Sequence, residues 1–386
     1  MLLSVLWVPS ALAKSVQVSP NIITQINNAQ ALADKDQYRK AIELLNSLSV
    51  KRPEDVATIE RRLSIYYWSI GQSRSAIDRL TKAINTKVFE GDDDWLMKWN
   101  LASMLLSEEQ AKAAIGYLKP LTQAIPKGQD GAQVWYYLAQ AYYQDQQYRS
   151  TLSALTQRHR YSRKASVPVL TLQLAAEYQL KRWSAMAGTA KRLTALEPNK
   201  KSWWMQRVYA LMQIDNNKQA LDVLSLAQLQ GIAFSDNEYK NLAYLYATQG
   251  IYEKAALTLA KVSGSQTELT LLKQQASYWQ QAKEWDKASD YWALAAQQDG
   301  RYYWNLASIL NQQQQFTRAL AALDKVTSQD KAFDKAMLKA GIYYKLNDLD
   351  KALLHAKQAM DIKASKQAEQ WIKFLTSAQQ QAQYQG

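Results

Sequence analysis

Apolar residues along this chain fall in paired blocks of helical spacing, and the blocks repeat. The stretch YKNLAYLYATQGIYEKAALTLAKV at 239–262 and the stretch YYWNLASILNQQQQFTRALAALDKV at 302–326 follow one plan. Each has Leu-Ala, a large residue three positions on, a short polar turn ending in an aromatic, and Ala three residues later. The Ala after the turn is found at Ala41, Ala76, Ala114, Ala220, Ala255, Ala288, Ala319 and Ala352, with Thr151 and Met186 at the same place in two weaker units. Successive spacings lie between 31 and 38 residues. A second small-residue series precedes the turn: Ala29, Ser64, Ala102, Ala139, Val208, Ala243, Ala276, Ala307 and Ala340.

Two small residues per unit have a mechanical reason. Antiparallel helices joined by a short turn approach closely only where side chains are small, and larger residues such as Leu242, Tyr246 and Leu259 then fill the space between units. A single hairpin cannot bury its apolar face alone, so the units must stack. The pattern predicts an all-α solenoid of about ten hairpins. Gly71 and Gly250 stand where a first helix should stop. Ser235 with Glu238, and Ser265 with Glu268, have capping-box spacing, and Pro53, Pro126 and Pro198 mark unit ends. The weakest stretch is 151–200, where one turn reads a residue short.

This pattern resembles the tetratricopeptide repeat (TPR) family over roughly 22–362, most fully in Tyr239, Leu242, Ala243, Tyr246, Gly250, Tyr252 and Ala255. The resemblance implies a right-handed superhelix of TPR-like hairpins over 14–362, non-enzymatic, whose first helices line a concave groove that holds a peptide or a helix of a partner protein. Stepping along each first helix from its small residue gives the expected partner-binding set: Arg61, Trp68, Trp99, Tyr136, Tyr143, Tyr209, Tyr244, Lys273, Trp304 and Tyr344. Aromatics interleaved with Lys or Arg suit such a ligand, although any one of these aromatics could equally be core between repeats. The Lys/Asn clamp with which some members hold a terminal carboxylate is not found in consecutive units.

The ends of the chain read differently. Leu2 to Ala13, LLSVLWVPSALA, is an apolar run ending in the small-x-small pattern Ala11-Leu12-Ala13. Twelve residues are too few to span a bilayer, which takes roughly 20, so 1–13 is expected to be a signal peptide and the protein periplasmic in a Gram-negative cell. No Lys or Arg precedes the run, so the translation start is expected further upstream. Residues 363–378 carry Trp371, Phe374 and Leu375 on one face and are expected to cap the last hairpin, with 379–386 a mobile tail. The segment 60–84, close behind the export signal, is similar to periplasmic repeat proteins associated with TonB energy-transduction systems of marine gammaproteobacteria. That similarity implies an accessory role in TonB-dependent uptake, with TonB-system components among the partners.

Composition narrows the function classes. There is no Cys and there are only two His, which removes thiol chemistry and leaves little for a histidine metal site or triad. No nucleophile, phosphate-loop or metal-ligand motif is present, so no catalytic residue, metal or cofactor is expected. Two inserts break the period. FEGDDDW at 89–95 reads as acids opening a helix rather than as a calcium loop. RHRYSRKASVP at 158–168 brings Arg158, Arg160, Arg163 and Lys164, either a solvated loop or a site for an acidic partner or a phosphate. The net charge of +13 also leaves open a basic envelope-binding protein in peripheral contact with anionic lipid or cell-wall polymer. Export would exclude nucleic acid.

Overall fold

A computed structural model of the chain describes residues 16–385, with side chains to residue 381. The expected signal peptide lies outside the described residues. Among the described residues every regular element is helical, and no helix is long and apolar enough to cross a membrane. The chain divides into two compact units, Met1–Pro198 and Asn199–Gly386.

The first unit is a succession of helical pairs: α1 (Pro20–Ala33) with α2 (Tyr38–Asn46), α3 (Pro53–Ser69) with α4 (Ser73–Asn85), α5 (Gly91–Ser107) with α6 (Ala111–Leu121), α7 (Gly131–Gln144) with α8 (Tyr148–Tyr161), and α9 (Val167–Gln179) with α10 (Trp183–Leu196). Within this unit α2, α4, α6 and α8 each pack on the first helix of the next pair, and α1 also meets α3, α5 meets α7, and α7 meets α9. The second unit repeats the plan with α11 (Lys201–Met212) and α12 (Asn217–Leu229), α13 (Asp236–Thr248) and α14 (Tyr252–Leu259), α15 (Leu269–Gln281) and α16 (Trp285–Gln298), α17 (Tyr303–Gln312) and α18 (Phe316–Asp324), and α19 (Ala332–Lys345) and α20 (Leu349–Ile362). A final helix, α21 (Lys366–Gln385), packs on α20. The fold class is therefore an all-α, tetratricopeptide-like solenoid of stacked hairpins.

One turn geometry closes every pair. The residue at its centre has positive φ, between 53° and 74°, at Asp36, Gly71, Glu109, Gln146, Lys181, Asp215, Gly250, Lys283, Gln314 and Asn347. The next residue's N–H donates to the carbonyl five positions back at 2.8–3.0 Å, as in Gln72 to Tyr67 and Asn216 to Leu211. This is the Schellman closure, in which a left-handed residue lets the chain satisfy the helix's last carbonyls while reversing direction. The turn at Lys181 has the same geometry, so the stretch 151–200 does not lack a residue there.

The left-handed residue also sets the register. Five positions after it comes the small residue of the second helix, buried in every pair, including Thr151 and Met186. Seven positions before it comes the small residue of the first helix, from Ala29 to Ala340, again buried. In the fifth pair that position is filled by Leu174.

Three local expectations need correction. Pro53 opens α3 rather than closing a unit, because at the first helical position its missing N–H would have no partner anyway. Ser235 and Glu238 do form the start of α13, with the Ser235 N–H donating to Glu238 Oε2 at 2.6 Å. Ser265, however, does not cap α15. Gly264 turns the chain at φ +74°, and the Ser265 hydroxyl donates back to the Ala260 carbonyl at 3.1 Å. Finally, the last helix does not stop at 378. Residues 379–385 continue it, since the Gln- and Ala-rich sequence holds no breaker before Gly386, and Gln379 Nε2 donates to Asp350 Oδ1 at 2.7 Å. Leu375 is buried, and Trp371 packs beside it against α19–α20.

Candidate binding surfaces

The register places the expected partner-binding residues three before, one after or four after the small residue of a first helix, which puts them on one flank of that helix. Five fall in each unit. Arg61, Trp68, Trp99, Tyr136 and Tyr143 lie on α3, α5 and α7, and Tyr209, Tyr244, Lys273, Trp304 and Tyr344 on α11, α13, α15, α17 and α19. Tyr209, Tyr244 and Tyr344 are 41%, 49% and 39% exposed, and the other seven are half-buried.

In the first unit the aromatics touch one another. Trp99 stacks on Trp95 at 5.9 Å and tilts against Tyr137 at 4.8 Å, and Tyr137 meets Tyr136 edge-on at 6.4 Å. Trp95 is buried and donates its indole N–H to the Leu121 carbonyl at 3.2 Å, which ties α5 to α6. Trp99 thus belongs to the packing between pairs as much as to a surface. Burial, with Tyr137 beside it, pushes the Tyr136 hydroxyl up, although Arg158 pulls the other way. The Arg61 guanidinium sits over the Phe89 ring at 5.5 Å. Tyr143 meets Tyr148 edge-on at 5.4 Å. The acids Asp92, Asp93 and Asp94 occupy the first turn of α5, where they oppose the positive end of the helix dipole, and Asp94 pairs with Lys98 at 2.5 Å.

In the second unit too, cations lie over rings. Lys273 sits over Tyr302 at 5.1 Å and Lys331 over Trp304 at 5.7 Å. Tyr344 is met edge-on by Trp371 and Phe374 of α21, at 6.0 and 5.2 Å, so the last helix covers part of this surface. Tyr209 and Tyr244 occupy the same register position on α11 and α13, in consecutive pairs.

The first unit also holds a polar cavity of about 360 Å³ between α8 and the α9–α10 pair. Its wall includes Arg158, Lys164, Glu177, Arg182 and Arg192. Glu177 is only 3% exposed. Gln173 Nε2 donates to its Oε1 at 2.7 Å, while Oε2 is buried with no hydrogen-bond partner. Burial pushes the Glu177 carboxyl above its ordinary range, against the opposing pull of Gln173, Thr189, Arg182 and Arg192. The basic insert supplies two of these groups, and Arg158 Nη1 donates to the Ser162 and Lys164 carbonyls at 3.0 and 3.2 Å, tying the loop back to α8. Sequence reading reached Arg158 and Lys164 but missed Glu177, Arg182 and Arg192. The missed signal is the repeat register. Four positions before the left-handed residue, the other nine pairs carry Leu, Tyr or Trp, and the fifth carries Glu177.

No protein-family model matches the chain, and no curated protein matches it. Among solved structures it is similar to a tetratricopeptide repeat protein from Parabacteroides merdae, at 16% identity over 67% of this chain and 99% of that one, with a TM-score of 0.40. It is also similar to a chain of the Naa15/Naa10 complex bound to HypK-THB, at 15% identity over 90% of this chain and 59% of that one, TM-score 0.45. A third is YrrB, a TPR protein with an unusual peptide-binding site, at 16% identity over 50% of this chain and 99% of that one, TM-score 0.36. The assignment of the fold rests on the hairpin turns and buried small residues of this chain, not on these scores.

Proposed function

We propose that this protein is a non-enzymatic scaffold that holds a partner protein, as a peptide or a helix, against the first-helix faces of its units. The observation that carries the reading is the pair Tyr209 and Tyr244. They are large, more than two-fifths exposed, and in the same register on consecutive first helices. Exposed aromatics aligned on a rigid face are the usual anchors of protein recognition. Among the described residues no group of three or more His, Asp or Glu is placed to hold a metal ion. The periplasm as its setting rests on the apolar run ending at Ala13, and an association with a TonB system rests on the similarity of segment 60–84.

The test separates anchors from packing. Tyr244→Ala and Trp68→Ala should weaken crosslinked capture of the partner from intact cell envelopes by about 2 kcal/mol or more, with the melting temperature unchanged. Trp99→Ala should instead destabilise the first unit by roughly 3–5 kcal/mol, because its ring is packed between Trp95 and Tyr137. Unchanged capture in both of the first two variants refutes the groove. Binding that persists at high salt supports the aromatic face, whereas steep loss would favour the charge-driven envelope reading that the +13 net charge allows.

A further inference from the structure

We propose that the cavity between α8 and the α9–α10 pair is a binding site for an oxyanion, a phosphate or a carboxylate, with Arg158, Arg182 and Arg192 supplying the charge and Glu177 the buried polar contact. This inference is independent of the partner surface described above.

The chemistry of the wall points one way. Arg158, Lys164, Arg182 and Arg192 only donate hydrogen bonds. Among the described residues neither Arg182 nor Arg192 forms an ion pair, and Glu177, which lines the same space, forms no salt bridge with either. Burial favours the protonated carboxyl at Glu177. Gln173 already occupies Oε1, and Oε2 is buried with no hydrogen-bond partner. The site is thus rich in donors and positive charge, which an oxyanion would match. A cationic ligand drawn to an ionised Glu177 would have to enter past four cationic side chains. A volume of about 360 Å³ leaves room for a phosphate or for a carboxylate with its carbon chain.

The experiment is calorimetric titration of the full chain in low-salt buffer with inorganic phosphate in one arm and glutarate in the other, which tells a free phosphate from a carboxylate source. At least one probe should saturate at a single site. Arg182→Gln and Arg192→Gln, both at exposed positions where the fold is not at stake, should each weaken it about 10-fold or more. Arg318→Gln makes the same charge change at an exposed position on α18 and should leave binding within about 2-fold. Glu177→Gln places an amide donor at the site and removes the chance of a negative charge, so it should retain binding. The proposal is overturned if neither probe saturates by about 10 mM, if Arg318→Gln weakens binding as much as the cavity variants, or if Glu177→Gln abolishes binding while the helical signal is unchanged.

Discussion

Among the described residues eight of ten hairpin turns place a residue other than glycine in the left-handed region, and this makes the turns a direct route to stabilising the protein. The left-handed conformation costs an ordinary side chain roughly 1–2 kcal/mol. Replacing it with Gly removes that strain but returns roughly 0.5–1 kcal/mol of chain flexibility to the unfolded state. The net expectation is a gain of about 0.5–1 kcal/mol for each of Lys181→Gly, Lys283→Gly and Gln314→Gly. All three side chains are exposed, so little packing is lost. Asp36, Asp215 and Asn347 should gain less, because Asp and Asn tolerate this region better. The reverse change, Gly71→Ala, should destabilise by about 1 kcal/mol or more. A Cβ at Gly71 meets nothing within 4 Å, so the whole effect is conformational. Urea unfolding is the assay, with the midpoint read at unchanged slope. Lys357→Gly, exposed in the middle of α20, serves as the control and should lose about 1 kcal/mol. If Lys283→Gly loses stability as the control does, the left-handed residues are not strained and the reasoning fails.

Two further outcomes follow from the packing and the charges. Ala288→Leu puts three heavy atoms into a position with no exposure, among Ala276, Trp279, Trp292 and Leu306, and should cost roughly 1–3 kcal/mol in the same unfolding assay. Asp55 is buried, which by itself would raise its carboxyl, but the Ser19 hydroxyl at 2.6 Å, the Ser19 N–H at 2.8 Å and Arg52 outweigh burial and hold it below the ordinary 3.8. A lowered carboxylate contributes stability above its unfolded value and loses it as pH falls through the folded one. Asp55→Asn should therefore destabilise the first unit by about 1–3 kcal/mol at neutral pH, and the difference from the parent should shrink below pH 3.8 in pH-dependent unfolding.

The two small-residue series were legible because they answer to one steric demand. Along both series the side chains are buried, and Ala recurs there. The turns were legible only at Gly71 and Gly250. At Lys181, Gln146 or Glu109 nothing in the residue type announces a left-handed backbone, which the Schellman bonds and the stacked helices impose from outside. The flank of each first helix was likewise readable from register. Which members of that flank stand open was not, because it depends on neighbours from other helices. Trp99 is closed in by Tyr137 from α7, and Tyr344 is partly covered by Phe374 from α21.

The cavity shows why register can carry information that composition does not. Four positions before each left-handed residue the chain places Leu32, Tyr67, Leu105, Tyr142, Leu211, Tyr246, Trp279, Leu310 or Tyr343, all buried or half-buried, so this is a site where an apolar side chain fills the gap beside the turn. Glu177 at the same site has the volume to fill part of that gap but not the chemistry to leave it dry. The fifth pair departs a second time, with Leu174 where the other first helices carry Ala, Ser or Val, and the cavity lies beside this pair. A charged residue at one such site, taken alone, reads as tolerated variation on a helix of mixed character. Set against nine copies of its own position, it marks the one hairpin where burial of an apolar side chain has been given up, and that is the hairpin at which Arg158, Arg182 and Arg192 line a common space.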